Sequence, residues 1–240
     1  MKIKVENTEE VHGYIPTNDG EVKNILNREV TPTVEEIQSF VISQGTEDFN
    51  AFGHMEGQFV GGTFCQQVVD EIGPCIHYLL SNNVQINTYL EVGAAAGGTT
   101  FLFNHFFHPS TIIIIDNNSH PQCVHRGRVL REIEHIEIVD DSQSENAVNR
   151  AKKHAPYDFV LLDAVHTYLE TMMDVVHFAP MIAPGGYLFL HDSVWNGGEV
   201  DRVVREMKTH ADYTFINEWI SPTNVTNPCG IALFQKVGKQ

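Results

Sequence analysis

An α/β architecture is predicted for this chain: a doubly wound, mostly parallel seven-stranded sheet with helices on both faces, preceded by an N-terminal extension. Three observations predict it. Strand and helix patterns alternate from residue 87 to about 210, the pattern of parallel strands joined by crossover helices. A glycine-rich turn, Gly93-Ala94-Ala95-Ala96-Gly97-Gly98, follows the first apolar run directly. Glu91, Asp116, Asp141, Asp163 and the pair His191-Asp192 fall at or just beyond the ends of successive runs. Ligands of doubly wound sheets bind outside the carboxyl ends of the strands, so that edge is the expected site.

The 240 residues suit one α/β domain with an extension, here 1–60 and 61–240, and an apolar fraction of 42% supplies a sizeable core. Residues 1–60 read as an arm that covers the active-site mouth or as a packing arm. Thr31-Pro32-Thr33-Val34-Glu35-Glu36 marks a helix start within it, with Ile37, Phe40, Val41 and Ile42 as an apolar stripe. A helix is expected over Cys65–Asn82, with Pro74 as a kink or division. The run Asn87–Val92 is the first strand, and Gly93 and Gly97 let the backbone turn sharply and approach a ligand.

Pro109 ends the next helix, and Thr111–Asp116 is a β-branched run of the kind buried on both faces of a parallel sheet. A helix through Val124–Ile133, a strand Ile136–Val139 and a helix capped near Asp141–Ser144 and running to about His154 follow. Tyr157–Asp163, a helix Thr167–Met181, the turn Ala183-Pro184-Gly185-Gly186 and a strand Tyr187–Asp192 come next. A helix Val200–His210 and two closing strands, Tyr213–Trp219 and Gly230–Lys236, complete the chain.

Charge narrows the function. Fifteen Lys and Arg against 31 Asp and Glu leave a net charge of −16, which argues against nucleic acid or an anionic membrane as partner. Arg126, Arg128 and Arg131 read as a solvated helix face or as a local basic groove. Four scattered cysteines without a CxxC pair fit neither a zinc site nor a disulfide framework. With no signal-like or membrane-spanning apolar run, a cytoplasmic protein is expected. A small-molecule acceptor is the expected partner, with a homo-oligomer left open.

On these residues the chain resembles a class I S-adenosylmethionine-dependent methyltransferase over roughly residues 60–236. Glu91-x-Gly93-x-Ala95-x-Gly97 is similar to the family's acidic-glycine cofactor loop, with Ala95 where a glycine is usual. The resemblance implies S-adenosylmethionine as cofactor, with Glu91, Gly93, Ala95 and Gly97 at its loop. It places Asp116 at the ribose hydroxyls, which a carboxylate can accept together, and Asp141 and Ser142 at the adenine. Ala183-Pro184-Gly185-Gly186 and the late strand pair match the family's Rossmann-like methyltransferase fold.

A narrower resemblance rests on Asp163-Ala164-Val165-His166-Thr167-Tyr168 and His191-Asp192. It is to the metal-dependent macrolide sugar O-methyltransferase and cephalosporin hydroxylase-like group. That resemblance implies O-methylation of a sugar, polyketide or similar molecule, with Asp163, His191 and Asp192 at a divalent metal, Asp163 and His166 catalytic, and His166 the general base. His191 stands where that group has Glu, and imidazole suits Mn, Fe or Zn better than Mg. His166 is expected mostly neutral near the reference pKa of about 6.5. Trp195 and Tyr168 read as walls on the substrate side. The alternatives are a non-catalytic member that binds cofactor or partner, and an NAD-dependent oxidoreductase. Against the latter stand Glu91 before the loop and the absence of a compact G-x-G-x-x-G.

Overall fold

Thr33 opens the first described helix, α1 (Val34–Ser43). Its hydroxyl accepts from the Glu36 N–H at 3.2 Å, and the Glu36 carboxylate accepts from the Thr33 N–H at 3.0 Å. This reciprocal cap satisfies donors that a helix start leaves open. Ile37 and Val41 are buried against the next helix, whereas Ile42 is 60% exposed and outside the expected stripe. The structure, a computed structural model, describes residues 31–44, 62–222 and 228–238. The expectations for 1–30 and 45–60 lie outside the described residues.

Helix α2 (Val69–Ser81) starts later than its apolar spacing predicts, and Cys65–Val68 lies outside it. The reason is a close crossing: a Cβ on Gly98 would come within 2.5 Å of the Cys65 Cα. The segment therefore lies directly on the glycine turn, where helix coils would not fit. Pro74 does not divide α2; the helix runs through it, with Ile72, Cys75, Ile76 and Leu79 buried. Tertiary burial here outweighs one missing backbone donor.

Strand β1 (Thr88–Val92), helix α3 (Gly98–Phe107) and strand β2 (Thr111–Asp116) follow as expected. The helix expected over Val124–Ile133 is instead a 3-10 turn, Pro121–His125, leading into a single turn α4 (Arg126–Val129). Gly127 in its middle lowers helix propensity, and Arg126 turns inward. Then come β3 (Ile136–Val139), α5 (Glu145–Lys152), β4 (Tyr157–Leu162), α6 (Tyr168–Phe178), β5 (Ile182–His191), α7 (Val200–Met207), β6 (Tyr213–Trp219) and β7 (Ile231–Lys236). β5 takes in Ala183–Gly186, expected as a preceding turn, through a register irregularity against β4 between Tyr157 and Phe159.

The seven strands among the described residues lie in the order β3-β2-β1-β4-β5-β7-β6, with β7 antiparallel to both neighbours. The order reverses between β1 and β4, which opens a crevice above their carboxyl ends. Alternation sends successive side chains to opposite faces. Tyr89, Phe103, Phe159 and Phe189 form one core layer with α1, α2 and α3. Leu90, Ile113, Val160 and Leu188 form the other, under α5, α6 and α7.

Candidate active site

Gly93 holds a left-handed φ of +85°, and a Cβ there would sit 2.0 Å from the Asp163 carbonyl oxygen. Only glycine allows the ends of β1 and β4 to meet so closely. Ala95 also has positive φ, 46°, a conformation L-residues adopt at a cost of roughly 1–2 kcal/mol. Two contacts hold it there. Its N–H donates to Asp116 Oδ2 at 2.9 Å, and its carbonyl accepts from the Arg126 guanidinium at 3.0 Å.

Arg126 is buried, pairs with Asp116 at 3.1 Å and Glu137 at 2.8 Å, and also donates to Asn118. It therefore belongs neither to a solvated face nor to a basic groove; it clamps the glycine turn from below. Arg128 donates to the Gly62 carbonyl at 2.7 Å and lies over the Phe64 ring at 5.3 Å. Of the three arginines Arg131 alone fits the solvated reading, paired loosely with Glu132 at 3.5 Å.

The crevice is a cleft of about 420 Å³. Gly93, Ala95, Asp116, Asp141 and Ser142 line it, as do Asp163, His166, His191 and Asp192. Glu91 and Gly97, expected at the cofactor, do not. Glu91 shares the face of Tyr89 and is 1% exposed beneath the loop. Its carboxylate accepts from the Tyr89 hydroxyl at 2.8 Å and from the Thr100 hydroxyl. Strand alternation is the reason: the acid points into the core and grips the first turn of α3. Burial pushes its pKa up to about 7, against the pull of the two hydroxyls. Gly97 makes the left-handed entry to α3, with Leu130 2.8 Å from where a Cβ would be.

Asp116 is 8% exposed and heavily engaged. Oδ2 takes the Ala95 N–H and Arg126, while Oδ1 accepts from the Asn118 N–H at 2.7 Å and from the Cys123 thiol at 3.4 Å. A thiol is a weak donor, so Oδ1 is where a ligand hydroxyl can enter. Asp141 is exposed and caps the Gln143 N–H at 2.9 Å. The Ser142 hydroxyl donates to the buried Asp174 at 2.7 Å.

At the ends of β4 and β5 two carboxylates and two imidazoles close a ring. His191 Nδ1 lies 3.0 Å from Asp163 Oδ1 and 3.3 Å from Asp192 Oδ2. His166 Nε2 lies 3.5 Å from Asp163 Oδ1 and 3.0 Å from Asp192 Oδ2, without hydrogen-bond alignment to either. One carboxylate oxygen from each aspartate and one ring nitrogen of His191 fall within 4.8 Å of one another. Burial raises the Asp163 and Asp192 carboxyls, but the histidines more than offset it and hold both below the usual carboxylate range. Burial pulls His166 down, and the two aspartates reverse this and hold it at about 9. The expected near-neutral imidazole is thus corrected: two acids within reach keep it protonated.

Three further residues escaped the sequence reading or were misplaced by it. Gln67 is wholly buried and donates to Asp163 Oδ2 at 3.0 Å. Glu71, one turn along, accepts from the Ser221 and Gly230 N–H groups, both at 2.9 Å, and so ties the β6–β7 connection to α2. No local pattern marks either, since their partners lie 96, 150 and 159 residues away. Tyr168 is not a substrate wall: its hydroxyl donates to Glu206 at 2.9 Å and Arg202 covers its ring at 4.1 Å. Trp195 does line the cleft, edge-on to His166 with centroids 5.2 Å apart. The described part of the extension, residues 31–44, lines none of it, whereas Phe64 and Gln66 do.

Residues 90–193 match a family model described as a methyltransferase domain. No curated protein matches the chain in sequence. Among solved structures, a Klebsiella pneumoniae protein described as an O-methyltransferase is 12% identical with a TM-score of 0.58, over 92% of this chain and 96% of that one. The O-methyltransferase TomG from Streptomyces achromogenes, solved with S-adenosylmethionine, is 16% identical with a TM-score of 0.52, over 67% and 78% of the two chains. MycE, a methyltransferase of the mycinamycin biosynthetic pathway solved with Mg and S-adenosylhomocysteine, is 16% identical with a TM-score of 0.52, over 87% of this chain and 54% of that one. At these identities the likeness is one of fold. Residues 90–193 thus match a methyltransferase domain, on a fold that the chain shares with solved methyltransferases.

Proposed function

We propose that the chain methylates a hydroxyl of a small-molecule acceptor, a sugar, polyketide or similar, with a divalent cation held by Asp163, His191 and Asp192. The observation that carries this reading is the ring of two acids and two histidines beside the cleft, at the ends of neighbouring strands. S-adenosylmethionine, when bound in the cleft, supplies the methyl group. Asp116 Oδ1 receives its ribose, Asp141 and Ser142 border its adenine, and Gly93 and Ala95 bring the backbone close. Glu91 supports the loop rather than touching the cofactor.

The donor set fits a metal. Two carboxylate oxygens and one imidazole nitrogen lie close enough to share an ion, and the imidazole favours Mn, Fe or Zn over Mg. A cation there supplies positive charge beside the acceptor oxygen and lowers the pKa of its hydroxyl. His166 Nε2, beside both aspartates, would take the acceptor proton once their charge is engaged by such a cation, with Trp195 as the wall that orients the acceptor. A second reading is supported by the position of His191 Nδ1 between both acids: its imidazolium serves as the cation and no metal is needed. Activity that survives EDTA favours this second reading, and loss restored by Mn²⁺ favours the first.

Thermal denaturation tests the cofactor assignment. S-adenosylhomocysteine at 100 times its Kd adds about 2.7 kcal/mol, and NAD should add nothing. Stabilisation by NAD alone would overturn the methyltransfer reading. No helix among the described residues is long and apolar enough to cross a membrane, and the proposed compartment is the cytoplasm.

A further inference from the structure

Asp163 meets the two histidines through Oδ1 alone; its other oxygen, Oδ2, accepts from Gln67 Nε2 at 3.0 Å. Gln67 is 0% exposed and does not line the cleft. Its Oε1 is buried and has no partner among the described residues. A buried amide oxygen left without a partner is destabilising, and an apolar side chain of the same volume would avoid that cost. The amide is therefore poorly explained by packing, and its one hydrogen bond is made to a residue of the site. A carboxylate only accepts, so the amide must present its NH₂ to Asp163. The carboxylate plane is then fixed from behind, with Oδ1 turned toward His191 and His166.

We propose that Gln67 is a positioning residue that orients the Asp163 carboxylate for cation binding. This rests on the metal reading above. Gln67 reaches the site because Gly98 admits the chain of 63–65 against the glycine turn, which delivers residue 67 to the end of β4. Groups that orient metal ligands from behind typically control affinity by about 10–100-fold.

The test is a Mn²⁺ titration of the full chain, followed by the electron paramagnetic resonance signal of free Mn²⁺. Gln67→Met, which keeps the volume and removes the donor, should bind Mn²⁺ about 10–100-fold more weakly than the unaltered chain. Its S-adenosylhomocysteine affinity, measured calorimetrically, should change by less than about twofold, because Gln67 does not touch the cleft. If the methionine variant fails to fold, Gln67→Asn, whose amide is too short to reach Asp163, should give the same loss. Equal Mn²⁺ affinity in the unaltered and variant chains overturns the role of Gln67 and leaves the metal reading standing. Absence of Mn²⁺ binding to the unaltered chain overturns the metal reading, and this proposal with it.

Discussion

His166 and Glu91 are both ionisable groups whose surroundings displace them from their ordinary range, and each makes a separable expectation. General-base catalysis is typically worth roughly 10²–10⁴-fold. His166→Ala should lower kcat by about that much and leave S-adenosylhomocysteine affinity nearly unchanged, which rate and calorimetric measurements on the variant would check. A variant with near-normal turnover would make His166 a bystander. Glu91 bears on stability instead. Its folded pKa of about 7 lies above the ordinary 4.5, so the folded chain holds this proton more tightly than the unfolded chain. That stabilisation is full below about pH 4.5 and is lost as pH rises through 7. At about 1.4 kcal/mol per unit, Glu91→Gln should abolish a decline of about 3 kcal/mol across this window. Urea denaturation of both chains at pH 5 and pH 7.5 would show it. Parallel pH profiles would mean that Glu91 is ionised in its buried position.

At the scale of elements, the turn between β1 and α3 is held from below by the turn that follows β2. Arg126→Met leaves Asp116 and Glu137 without their buried cation and frees the strained Ala95. Breaking a buried pair by removing one partner costs about 3–5 kcal/mol, and urea midpoints should fall accordingly. Cofactor affinity should fall as well, since the turn lines the cleft. A loss below about 1 kcal/mol would show that the clamp is slack. Thr33→Ala removes one helix cap and should cost about 1 kcal/mol, by the same measurement. These contrasts bear on what was legible in the sequence. Caps, β-branched runs and glycine turns are local, so β1, β2, β4, α1 and the acids at the strand ends could be read directly. The detachment of Cys65–Val68 from α2 depends on Gly98, more than thirty residues later. The inward turn of Arg126 depends on Asp116 and Glu137 together. Gln67 depends on a partner 96 residues away. Glu91 was legible as important but not in its direction, because strand alternation fixes only which face it shares, and that face carries core rather than ligand.

Across the whole molecule, strand order converts these local facts into a site. The reversal between β1 and β4 places Gly93 against Asp163 and so sets the glycine turn beside the ring of acids and histidines. A crystal structure of the full chain with S-adenosylhomocysteine and Mn²⁺, recorded at the manganese absorption edge, tests the central claim most directly. The expected result is one anomalous peak bonded by Asp163, His191 and Asp192, with the ligand ribose at Asp116 and His166 within reach but unbonded. Manganese bound elsewhere, or S-adenosylhomocysteine outside the cleft between Gly93 and Asp141, would contradict the account.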